Sequence, residues 1–76
     1  ASHMLYTVNA DRPGFIGRLG TVLGEAGVNI ATFNLGRTAM GGEAIALVGV
    51  DQPVNEDVLR GVLALADVLE VKALSF

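Results

Sequence analysis

The chain has 76 residues, with five Lys+Arg against eight Asp+Glu, a formal net charge of −3 and no cysteine. That length holds one small domain, and the missing cysteine excludes a disulfide framework, a thiolate nucleophile and a cysteine zinc site, in keeping with a cytoplasmic setting. Arg12, Arg18, Arg37, Arg60 and Lys72 are scattered, and three Phe, one Tyr and no Trp make a poor stacking platform, so no nucleic acid partner is expected.

No apolar run nears the ~20 residues that a bilayer crossing needs, so no membrane partner is expected either. Folding a chain of this size should leave roughly 4,400 Å² of accessible surface. Hydrophobic residues make up 51% of the chain, more than so small an interior hides, and the excess predicts a subunit contact.

Ala1-Ser2-His3-Met4 reads as a cloning remnant, which leaves residues 5–76 as the domain. Leu5 to Asn9 is short and β-prone, with Tyr6 and Val8 on one side and Leu5, Thr7 and Asn9 on the other. Ala10-Asp11-Arg12-Pro13-Gly14 breaks the strand. From Phe15 to Ala26 the residues Phe15, Ile16, Leu19, Val22, Leu23 and Ala26 recur at helical spacing, and Gly27 stands where a left-handed cap is wanted. Val28 to Arg37 reads as a strand, Thr38 to Gly42 as a hairpin turn and Glu43 to Val50 as the returning strand, stopped by Asp51-Gln52-Pro53.

Asn55 is placed to cap a second helix, with Glu56 and Asp57 at its positive end. Val58, Leu59, Val62, Leu63, Leu65 and Ala66 form its apolar face, and Glu56 and Arg60 are spaced for an i,i+4 pair. Val68 to Leu74 supplies the last strand, Leu69, Val71 and Ala73 alternating with Glu70 and Lys72. The order β, α, β, β, α, β predicts an α+β, ferredoxin-like βαββαβ sandwich: a four-stranded antiparallel sheet with two helices on one face. That leaves the other face uncovered, and because Leu35, Phe33, Ile45 and Leu47 alternate with neighbours such as Thr32 and Ala46, neither face of the middle strands reads as fully solvated. Burial against a second copy, through a strand edge or a sheet face, resolves this.

Catalytic chemistry is missing. The single His stands at position 3, no nucleophile has a base beside it, and the eight acids lie spread out, most of them as surface solubilisers, with no spacing for a metal cage. No catalytic residue and no metal ligand is assigned.

The informative stretch runs from Asn9 to Gly17, where a strand ends and a helix begins. Free N–H groups and partial positive charge at a helix start suit a carboxylate or a phosphate, and Gly14 lets a ligand approach the backbone. Asp11 offers a negative charge and Asn9 an amide, so the crevice is polarised to hold an ammonium and an anion together, as a free amino acid carries them. A plain turn capped by Asp11 accounts for the same residues without a ligand. Gly17, Gly20, Gly24 and Gly27 form a stripe on the helix, each interior glycine costing about 1 kcal/mol against alanine. Such a stripe implies close approach by the sheet, a partner helix or a ligand.

Asn9-x-Asp11-x-Pro13-Gly14-x-Ile16-Gly17, Gly20-x-x-Leu23-Gly24, Gly27-Val28-Asn29-Ile30-Ala31, Leu35-Gly36-Arg37 and Gly41-Gly42-x-Ala44 together resemble the C-terminal ACT regulatory domains of bacterial D-3-phosphoglycerate dehydrogenases, from Leu5 to Phe76. The resemblance implies a parent oxidoreductase that uses NAD in the first step of L-serine biosynthesis, with no cofactor in this fragment and catalysis elsewhere. It implies allosteric regulation by L-serine as feedback effector, held between two ACT domains of a homodimer or higher homo-oligomer. Carried over by position, Asn9, Asp11 and the Gly14, Phe15 and Ile16 backbone belong to one subunit's half of the site, and Asn29 reaches it from the other. Asn9 stands where members with a well-defined serine site carry His or Tyr. A structural dimerisation module without effector is the alternative.

Overall fold

In the computed structural model, which describes residues 2–10, 14–37 and 42–76, the elements follow in the order β1 (His3–Ala10), α1 (Phe15–Glu25), β2 (Ile30–Arg37), β3 (Glu43–Val50), α2 (Glu56–Leu63) and β4 (Val68–Ser75). The strands form one four-stranded sheet in the order β2-β3-β1-β4, and every neighbouring pair is antiparallel. This is the ferredoxin-like βαββαβ arrangement expected from the element order, and its accessible surface, 4471 Å², meets the size expectation.

Alternation along β1 sets the two faces. Leu5, Thr7 and Asn9 are buried under the helices, whereas Met4, Tyr6 and Val8 are half-buried on the face that carries no helix. Leu5 joins Phe15, Leu19 and Leu23 of α1, Val48 of β3 and Val58 and Val62 of α2 in one core.

Capping follows local chemistry at both helices. Asn55 accepts from the Val58 N–H at 3.0 Å, as its position predicts. At the far end of α1, Gly27 takes φ 76°. There the Gly27 and Val28 amides donate to the carbonyls of Gly24 (3.0 Å) and Leu23 (2.9 Å), the double bond pattern of a Schellman cap.

Several boundaries differ from the sequence reading. β1 begins at His3 rather than Leu5, because His3 and Met4 complete rungs with Val50 and Gly49 on β3 and with Ser75 and Leu74 on β4. α2 stops at Leu63, so Leu65 and Ala66 lie in the turn that follows, where Leu65 N–H donates to Val62 and Val68 N–H to Leu65. Arg60 pairs with Asp57 at i,i+3, not with Glu56. β2 starts at Ile30, while Val28 completes the cap of α1 and enters the core.

The alternation expected in β4 is broken at its start. Asn9 faces Val68 and Val8 faces Glu70, so Leu69 is the extra residue of a bulge and is 56% exposed. The hairpin turn expected over Thr38 to Gly42 lies, except for Gly42, outside the described residues.

Candidate functional site

β1 delivers Asn9 to the end of the sheet where the chain passes into α1. Being on the helix-covered face, Asn9 is buried at 1% exposure. Its Nδ2 donates to the Ala10 carbonyl at 3.0 Å, and its Oδ1 has no partner among the described residues. Thr7, one rung deeper on the same face, is also buried, and its Oγ1 has no partner among the described residues. Buried polar atoms in native folds are nearly always hydrogen-bonded, so these two atoms call for a partner.

The α1 start stands at the same end. Gly14 occupies the N-cap position with φ 84°, and among the described residues no side chain caps the helix. Arg18 N–H closes the first turn on the Gly14 carbonyl at 3.1 Å. Amides of Phe15, Ile16 and Gly17 precede any intrahelical acceptor, and no acidic residue stands in this turn to compete for them. Phe15 anchors the turn by burying its ring, while Ile16 is 54% exposed. Asp11, the residue assigned to an ammonium group, lies outside the described residues.

Asn29 is exposed and sits at the opposite end of the sheet. The next residue, Ile30, is level with Val50, which is level with His3, whereas Asn9 is level with Ala44 and so with Arg37. Six residue steps of β1 separate these ends, roughly 20 Å at a strand's rise. Within one chain Asn29 therefore does not join Asn9 and Gly14.

Two features beside the candidate site escaped the sequence reading. Asp67 looks like one more surface acid, yet it is buried at 4% exposure. Its carboxylate pairs with the Arg18 guanidinium, and its carbonyl accepts from the Ala10 N–H at 2.7 Å. One residue thus fastens the end of β1 to the first turn of α1. A groove of about 490 Å³ lies beside this clamp, lined by Gly14, Gly17, Arg18, Thr21, Val22 and Leu65; of the predicted site residues that are described, it touches Gly14 alone.

The glycine stripe finds no close neighbour among the described residues. A Cβ built at Gly17, Gly20, Gly24 or Gly27 meets nothing within 4 Å, so the sheet does not explain these residues. The tight helix contact falls instead at Gly61 of α2, where a Cβ would stand 3.3 Å from Val22 Cγ1. With Arg18 and Val22 facing α2, helix geometry turns Ile16, Gly20 and Gly24 to the other flank, on the β2 side of the sheet. No helix among the described residues is long and apolar enough to cross a membrane, and no His/Cys/Asp/Glu cluster there could hold a metal ion.

Comparison with known proteins places this geometry in a family. The D-3-phosphoglycerate dehydrogenase of Bacillus subtilis is 36% identical over 70 residues, covering 92% of this chain and 13% of that protein. That of Mycobacterium tuberculosis is 46% identical over 67 residues, covering 86% and 13%. The chain thus spans only 13% of the length of these relatives. Among solved structures, the ACT domain of GTP pyrophosphokinase from Chlorobium tepidum superposes with a TM-score of 0.66 at 20% identity, covering 95% of each chain. A protein of unknown function from Galdieria sulphuraria gives 0.75 at 12% identity, covering 97% of this chain and 43% of that one. Identities this low speak for the fold alone. A family model described as the ACT domain matches residues 3–67, and with the dehydrogenase relatives it shows that this chain belongs to the ACT domain family.

Proposed function

We propose that this ACT domain is the effector-sensing part of a D-3-phosphoglycerate dehydrogenase, an NAD-dependent enzyme of L-serine biosynthesis, and that it binds L-serine between two copies of the chain. The fragment itself carries no catalysis. The observation that carries the reading is the buried Asn9 Oδ1, without a partner among the described residues, beside a helix start that no described side chain caps. The amides at Gly14, Phe15 and Ile16 take the carboxylate, Asp11 takes the ammonium group, and Asn9 adds a polar side-chain contact.

β2 supports the second copy. Ile30, Ala31, Thr32, Asn34, Leu35 and Gly36 are exposed along this edge strand. The other edge, β4, is guarded by its bulge and by the Lys72–Glu70 ion pair at 3.2 Å. Antiparallel pairing of β2 with its symmetry mate sets the Ile30 end of one chain beside the Arg37 end of the other. That is the end of the sheet that carries Asn9, so the partner's Asn29 completes the site. The same pairing covers Ile16, Ile30 and Leu35 and brings the glycine flank of α1 toward the dyad.

Titration calorimetry with L-serine tests the reading. A sensor gives saturable heat and a melting temperature that rises with serine, and Asp11→Ala weakens binding by about 1–3 kcal/mol while leaving the dimer intact. A dimer that gives no heat with serine instead assigns the domain a purely structural role.

A further inference from the structure

Thr7 and Asn9 stand two residues apart on one face of β1, so their Cβ atoms are roughly 7 Å apart. Both are closed off from solvent, and Thr7 Oγ1 and Asn9 Oδ1 have no hydrogen-bond partner among the described residues. Their sheet neighbours cannot supply one. Thr7 lies between Ala46 and Val71, and Asn9 between Ala44 and Val68, all with hydrocarbon side chains. On the β3 side both neighbours are alanine, which leaves the smallest side chains next to the two unmet atoms.

What fits there is set by hydrogen-bond inventory. Asn9 Oδ1 only accepts, and one of the two N–H donors of its amide goes to the Ala10 carbonyl. The Thr7 hydroxyl donates and accepts. A group that donates to Asn9 while accepting from Thr7 satisfies both atoms at once. A hydroxyl does this, whereas an ammonium cannot accept and a carboxylate cannot donate.

Resting on the effector reading above, we propose that Thr7 is a specificity-determining residue. Together with Asn9 it holds the side-chain hydroxyl of the bound amino acid and selects a hydroxy amino acid over its deoxy analogue. Alanine in the site leaves both buried atoms unmet, and an unmet buried group is what a site made for a hydroxyl punishes.

Calorimetry on the 76-residue chain with L-serine and L-alanine, for wild type, Thr7→Val and Thr7→Ser, tests this. Wild type binds serine at least about tenfold more tightly than alanine, and Thr7→Val loses about five- to tenfold in serine affinity while alanine affinity stays unchanged. Thr7→Ser keeps the preference. Without ligand, Thr7→Val melts a few degrees higher, because it removes an unmet buried hydroxyl, so weaker binding cannot be put down to a damaged fold. If Thr7→Val shifts both affinities equally, as loss of a resident water would, or shifts neither, Thr7 has no part in selection. Wild type that binds neither amino acid overturns the effector reading, and this proposal with it.

Discussion

Arg18 and Asp67, 49 residues apart in sequence, form an ion pair whose carboxylate side is nearly closed to solvent at 6% exposure while the guanidinium side is 45% exposed. The same Asp67 accepts from Ala10 through its carbonyl, so the strand that carries Asn9 and the helix that begins at Gly14 are held at one point. The two halves of the proposed cradle are separate elements, and this clamp fixes their spacing.

Removing the cation from that buried carboxylate should be costly. Arg18→Ala is expected to lower stability in urea by about 1–3 kcal/mol, with half-exposure of the arginine keeping the loss below that of a fully buried pair. In a double-mutant cycle, Asp67→Asn should add little once Arg18 is gone, with a coupling of about 1 kcal/mol. Simple additivity of the two losses would refute the clamp.

The glycines of α1 should divide into two kinds. Gly14→Ala forces a side chain onto a left-handed backbone with φ 84°, at a cost of about 1–2 kcal/mol. Gly20→Ala adds a methyl group where nothing stands within 4 Å. It should stabilise the separated chain by about 0.5–1 kcal/mol and weaken dimerisation, because in the proposed dimer the flank it thickens faces the partner. Thermal melts at several protein concentrations separate these effects.

A charge on the open edge should disrupt pairing and leave the fold alone. Asn34 is exposed in the middle of β2, and Asn34→Lys brings like charges together across a two-fold axis. Sedimentation should show this variant shifted toward monomer, with an unchanged circular dichroism spectrum and weaker serine binding. A variant that stays dimeric would move the interface away from β2.

Periodicity made most of the fold legible. The apolar spacing from Phe15 to Leu23, the cap at Asn55 and the left-handed Gly27 are local signals, each readable within a few residues. The misjudged positions depend on partners far along the chain. Asp67 is buried because Arg18 stands opposite it, and Leu69 leaves the alternation because β1 imposes a bulge. Thr7 looks like an ordinary strand residue until its hydroxyl is found buried without a partner. Asn9 and the Gly14 turn of the proposed site were readable in the sequence, but the depth at which Asn9 lies was not, since depth depends on which sheet face the helices cover.

The central claim is that each site takes its residues from two chains, and subunit complementation tests it most directly. Asp11→Ala and Asn29→Ala are each expected to weaken serine binding about tenfold or more in their own homodimers. Refolded together in equal amounts, about half of the dimers should be mixed, each with one site lacking both residues and one fully intact, so that about a quarter of all sites return to wild-type affinity. A mixture that shows only the sum of the two weakened homodimers, with no high-affinity fraction, would contradict a shared site.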